Sequence, residues 1–139
     1  MGNKNNIVSI PVKMEKFYGK GTMLHPSLDV IEALIKTIPQ GSLATIDTLC
    51  KRLANDTGVN VTCPMRTGNA IKKISEQYAT NYVDTNIPFW RVIKSNKQII
   101  KSKNYELWAS KIEDEGFELD YTKLGLIKVN VDDSKMFSF

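Results

Sequence analysis

Between Pro26 and Thr80 the chain carries three apolar-periodic stretches in succession, each opened by a residue that favours a helix start, and this punctuation restricts the fold more than any other feature. Pro26 and Ser27 open the first, in which Leu28, Ile31, Leu34, Ile35 and Ile38 recur at helical spacing before Pro39-Gln40-Gly41 ends the run. Thr45 is placed to cap a second helix with Ile46, Leu49, Cys50 and Leu53 inward and Gly58 at its end. Pro64 belongs in the first turn of a third, because its missing N–H would have had no partner there. On that third helix Ile71, Ile74 and Tyr78 share one face, and Arg66, Asn69, Lys73 and Gln77 share the other.

A pair of helices joined by a short polar segment, the second presenting Arg, Asn and Lys outward, is the organisation of a helix-turn-helix unit. The same pattern also describes an amphipathic pair whose polar face meets only water. Gly68 costs the third helix about 1 kcal/mol relative to alanine, which fits either close approach of another backbone or plain tolerance. Beyond the helices, Ile87 to Lys94 and Lys97 to Lys101 read as two strands joined through Ser95-Asn96, a hairpin with lysines near its tip. Tyr105 to Glu115 reads as a last helix with Trp108 and Ile112 inward and Gly116 at its end, and the apolar residues from Phe117 to Val131 favour strand.

Charge is segregated along this chain of 139 residues. Residues 1–111 hold 16 Lys and Arg against 8 Asp and Glu, and residues 112–139 hold 3 against 7. The arm before Leu24 contributes Lys4, Lys13, Lys16 and Lys20 against Glu15 alone, and Arg91 to Lys103 carries five basic residues and no acidic one. Clustered cations fit a polyanion, whose condensed counterions are released on contact, and fit equally a solvated lysine-rich surface. Cys50, Cys63 and the lone His25 have no zinc-ligand spacing, so no metal and no cofactor is expected. No apolar run approaches a membrane span and the start resembles no signal peptide, so a cytoplasmic protein without membrane contact is expected.

Two segments also carry a resemblance. Ile38-Pro39-Gln40-Gly41-Ser42-Leu43-Ala44-Thr45 resembles the opening of the DNA-binding domain of the methylguanine-DNA methyltransferase family. Pro88-Phe89-Trp90-Arg91-Val92 resembles that family's active-site segment, which reads Pro-Cys-His-Arg-Val in the enzymes, and Glu115-Gly116 resembles the Glu-Gly that ends the following helix. The likeness runs over residues 28–118 in the right order, with insertions on both sides of the third helix. It implies a three-helix unit that binds DNA through the minor groove and extrudes an alkylated guanine, with Arg66 at the position of the arginine that replaces the departed base.

The departures from that pattern are chemical. The enzymes accept an alkyl group on a thiolate activated by the neighbouring histidine and a glutamate. Here Phe89 stands at the cysteine position and Trp90 at the histidine position, and Glu115 is left with nothing to orient. The chain therefore resembles the alkyltransferase-like branch, which lacks the acceptor cysteine and binds DNA without repairing it. Ile46 replaces the tyrosine that presses on the target nucleotide, removing a hydroxyl from that position.

The resulting expectation is an α+β protein: a small helical domain with a helix-turn-helix, winged-helix-like unit, a β-hairpin wing and a C-terminal strand segment. A basic N-terminal arm over 1–25, a methyltransferase-like domain over 26–118 and an extension over 119–139 packed on it are expected. The function expected is non-enzymatic binding of double-stranded DNA by a monomer, with recognition of alkylated or altered guanine by base flipping and DNA-repair proteins as downstream partners. Arg66, Thr67, Gly68, Asn69, Lys73, Lys94 and Lys97 are the candidate DNA contacts. Ile46, Phe89, Trp90 and Arg91 are the candidate base pocket, with Phe89 and Trp90 open to a second reading as core. Two alternatives stand beside this: a general nucleic-acid or protein-binding module on the same scaffold, and an alkyltransferase whose nucleophile is displaced to Cys63.

Overall fold

A computed structural model describes residues 5–80 and 87–139; Gly2 and Lys4 of the expected arm lie outside them. The segment read as an arm pairs strand β1 (Asn6–Ser9) antiparallel with β2 (Thr22–His25), and a short helix α1 (Glu15–Tyr18) lies between them. Helix α2 (Leu28–Ile35) begins where Ser27 Oγ accepts the Val30 N–H and stops three residues short of the expected Ile38, its end tightened by Thr37 and Ile38 N–H groups donating three residues back. A two-residue strand β3 (Ala44–Thr45) leads into α3 (Ile46–Thr57). Thr45 Oγ1 caps it by accepting the Thr48 N–H at 3.3 Å, and Gly58 terminates it at a φ of 74°, a left-handed position that suits glycine.

The loop after α3 contains β4 (Val61–Thr62), which pairs parallel with β2 and closes a three-stranded sheet in the order β1-β2-β4. Helix α4 (Pro64–Thr80) starts at once, with proline in its first turn as expected. The strand expected from Ile87 to Lys94 is mostly a 3-10 turn: Phe89–Arg91 curl so that Arg91 N–H reaches the Pro88 carbonyl, and only β5 (Val92–Ile93) is extended. β5 pairs parallel with β3, not with the run that follows it. The expected hairpin is therefore reduced to its turn, in which Lys94 and Gln98 bond and Lys97 takes a φ of 68°. The second run pairs instead with the C-terminal region: Gln98 bridges Lys128, and Ile99 N–H donates to the Ile127 carbonyl.

Helix α5 (Tyr105–Asp114) is followed by the antiparallel hairpin of β6 (Glu118–Tyr121) and β7 (Ile127–Asn130). The chain end then returns to β3, where Leu43 bonds Lys135 and Phe137 through its own N–H and carbonyl. One continuous core results, the molecule being α+β as expected. It takes Ile31 and Ile35 from α2, Leu49 and Leu53 from α3, Ile71 and Ile74 from α4, Trp108 and Ile112 from α5, and Ile127, Val129 and Val131 from the C-terminal segment. A second, smaller cluster of Ile10, Met23 and Cys63 joins the three-stranded sheet to the start of α4.

Candidate nucleic-acid interface

Burying Ile71 and Ile74 rotates the opposite face of α4 into solvent. Arg66, Asn69 and Lys73 are all exposed there, one to two turns apart. Gly68 lies between them, and a Cβ added to it would meet nothing within 4 Å. No packing among the described residues therefore demands glycine at that point. Thr67, grouped with these residues on sequence proximity, is wholly buried, and its hydroxyl donates to the Cys63 carbonyl at 2.8 Å. It braces the first turn of α4 and cannot reach a ligand. His25, at the end of β2, lies near enough to Arg66 that burial and then the guanidinium charge lower its pKa from the ordinary value.

Lys94 is exposed on the tight turn, whereas Lys97 is not a free cation. Its ammonium donates to the Val131 carbonyl at 3.0 Å and to Asp133 at 3.4 Å, fastening the turn to the chain beyond β7. The left-handed backbone at Lys97 turns the chain at this point. Of the two lysines expected to face a ligand, Lys94 is exposed and Lys97 is half-buried.

Phe89 is not a pocket residue in this structure but part of the core. Its ring is fully buried and meets three others edge-on: Trp108 at 5.0 Å, Trp90 at 5.2 Å and Tyr78 at 5.3 Å between centroids. Ile46 is half-buried against the same core. Trp90 is half-buried as well, and cations already lie by its ring: Lys111 Nζ 5.4 Å and the Arg91 guanidinium 5.8 Å from the centroid. A base stacking on that indole would compete with these cations for its surface.

Glu115 corrects a further expectation, for it has much to orient. Its carboxylate accepts the Trp90 indole N–H, both oxygens accept Arg91 Nε at 3.0 and 3.1 Å, and one accepts the Gly41 N–H at 3.2 Å. Arg91 also donates to the Ile38 carbonyl at 2.7 Å. The loop after α2, the turn at Phe89–Arg91 and the end of α5 are thereby locked together by one carboxylate and one guanidinium. Arg91, a candidate pocket residue on sequence, lies in this clamp.

Neither of the two thiols is exposed. Burial chiefly, with the charges of Asp47 and Cys63, pushes the Cys50 thiol up to about 11 against a weaker opposing bond from Thr67. Cys63 is buried against Ile10 and Met23. Among the described residues no cluster of His, Cys, Asp and Glu has a metal-binding arrangement, and no helix is long and apolar enough to cross a membrane. A cleft of about 360 Å³ that sequence reasoning did not foresee opens between α5 and the β6–β7 hairpin, with Tyr105, Glu113 and Tyr121 among its walls.

No protein-family model matches this chain, and no curated protein matches it. Two solved structures do. One is S. pombe Atl1 in complex with damaged DNA containing O6-carboxymethylguanine, with a TM-score of 0.58 and 23% identity over 80% of this chain and 94% of that one. The other is S. pombe ATL in complex with DNA, with a TM-score of 0.57 at the same identity and the same coverage of both chains. The chain is therefore similar in fold to S. pombe Atl1.

Proposed function

We propose that this protein binds double-stranded DNA without chemically repairing it, using the exposed row Arg66, Asn69 and Lys73 on α4. The observation that carries the reading is that row itself, presented on a fold shared with a protein solved bound to DNA. α3 and α4 then act as a helix-turn-helix unit, α4 lying against the duplex and Lys94 on the following turn adding a phosphate contact. The absence of chemistry follows from the resemblance read with the burial: a phenyl ring occupies the acceptor position, and it is sealed in the core. Neither cysteine replaces it, since Cys50 stays protonated near neutral pH and Cys63 is enclosed by apolar side chains.

Within this proposal the protein is a cytoplasmic monomer that recognises altered guanine and exposes it to repair proteins, with Arg66 stabilising the gap left by an extruded base. Base extrusion costs a few kcal/mol. A second reading is favoured by the burial of Phe89 and the cations on Trp90: duplex binding with no base pocket, indifferent to the lesion. Affinity for matched duplexes with and without an O6-alkylguanine, measured at several salt concentrations, separates them. Tighter binding to the altered duplex supports recognition, equal binding supports the second reading, and no binding to either refutes both. Intact mass after incubation with the altered duplex tests the chemistry, where a stoichiometric alkyl adduct would show an enzyme.

A further inference from the structure

The segment between β1 and β2 is an excursion whose exposed side chains do no work for the fold. Ile10 N–H bonds the Gly21 carbonyl at 2.9 Å and closes its base, and Met14 rests on the small cluster of Ile10, Met23 and Cys63. Val12, Lys13 and the residues from Lys16 to Lys20 point outward. Val12 is 84% exposed and Phe17 72%, Tyr18 is exposed too, and Lys13, Lys16 and Lys20 surround them. None of the three lysines forms an ion pair among the described residues; Lys16 lies 5.0 Å above the Phe17 ring. Apolar and aromatic side chains set among unpaired cations suit a ligand that offers both phosphates and flat apolar faces.

The excursion is also tied to the start of α4. β2 pairs with β4, Cys63 N–H bonds the Leu24 carbonyl at 2.9 Å, and Asn60 accepts the Thr22 N–H at 3.0 Å. Gly21 packs so tightly against the Asn60 side chain that a Cβ would fall 2.2 Å from its Oδ1, so this junction fixes where the excursion leaves the sheet. It leaves beside the loop that delivers α4.

From this geometry we propose that residues 11–21 are a second DNA contact: a finger that grips the same duplex beside the footprint of α4. Lys13, Lys16 and Lys20 meet phosphates, and Phe17 presses its ring against the sugar and base edges of the groove. The inference rests on the DNA-binding reading above and extends it to a part of the chain outside the likeness read from the sequence.

The test compares wild type, the triple variant Lys13→Gln/Lys16→Gln/Lys20→Gln, Phe17→Ala and Arg66→Ala on one unmodified duplex several helical turns long, across a salt series. All four finger side chains are exposed, so thermal midpoints should not move. The triple variant should lower the slope of log affinity against log salt by about 0.9 for each phosphate contact, about 2.7 in all. Phe17→Ala should weaken binding with the slope unchanged, and the protected footprint on the duplex should shorten at one end in the triple variant. A triple variant with the wild-type slope and footprint, while Arg66→Ala still weakens binding, overturns the finger and leaves the α4 reading standing. Failure of the wild type to bind at all overturns both. Retention of wild type but not the triple variant on anionic lipid vesicles, with the DNA slope unchanged, replaces DNA by a membrane surface as the partner and also overturns the proposal.

Discussion

Arg91 and Glu115 join three segments of the structure through one ion pair. With 15% and 7% of their side chains exposed, they are close to buried, and each satisfies groups on two other segments. Removing one member strands the other charge in a poorly solvated place, which typically costs about 3–5 kcal/mol. Glu115→Ala should therefore lower the denaturant midpoint by an amount in that range, and a loss under about 1 kcal/mol would mean that water replaces the carboxylate without cost. Phe89→Ala should lose a similar 3–5 kcal/mol, as expected for a ring removed from a packed core. With Trp108→Phe in place, emission from Trp90 should respond alike to altered and unmodified duplexes; a larger response to the altered one would restore the pocket. Histidine 25 supplies a pH test. Its folded pKa lies below the ordinary 6.5, so the neutral form is favoured, and stability associated with it is present above that value and declines as the pH falls through it. A phosphate brought to Arg66 offsets the repulsion, so the complex takes up a proton and DNA affinity should rise from pH 7 to pH 5.5 by more in wild type than in His25→Gln. Equal pH profiles would place His25 away from the bound phosphates.

At the level of elements, what was legible in the sequence was what neighbouring residues decide. Thr45, Gly58 and Pro64 mark helix boundaries because a cap, a left-handed residue and a missing N–H act within one turn of themselves. The outward row on α4 was legible for the same reason, since its phase follows from Ile71 and Ile74. Pairing was not legible, because β5 finds β3 about fifty residues earlier and Gln98 finds Lys128 thirty later, and no local signal names such partners. Glu115 was misjudged on the same ground: its three partners, Gly41, Trp90 and Arg91, lie in two segments far from it in sequence. The turn at Lys94–Lys97 offers a direct check on the surface thus drawn. Lys94→Ala should reduce the salt slope by about 0.9, the value for one phosphate contact. Lys97→Ala should leave the slope nearly unchanged and instead loosen the contact with Val131 and Asp133, seen as faster amide exchange at the turn and beyond β7. A slope change for Lys97 as large as for Lys94 would return both to the interface.

For the whole molecule, the division of charge acquires a spatial meaning. The acid-rich C-terminal segment is woven into the core through Val129 and Val131 and pairs with Leu43, so its carboxylates cannot swing away from the basic remainder. Asp133 is held near Lys97 with its side chain 95% exposed, and Asp132 beside it in sequence is exposed too. Such an exposed ion pair is worth about 0–1 kcal/mol to stability, so the consequence of these acids lies in the field they add. An approaching duplex meets their repulsion together with the attraction of Lys94 and the α4 row. In Asp132→Asn/Asp133→Asn the association rate with duplex DNA should rise at low salt, because the encounter is steered by the summed charge. The gain should disappear towards 1 M salt, where the screening length shrinks to about 3 Å, and the thermal midpoint should barely move at either salt. Stopped-flow mixing across the salt series measures it. An equal gain at all salt concentrations would point instead to a rearranged turn that makes new uncharged contacts, because a phosphate contact by a released Lys97 would itself fade with salt.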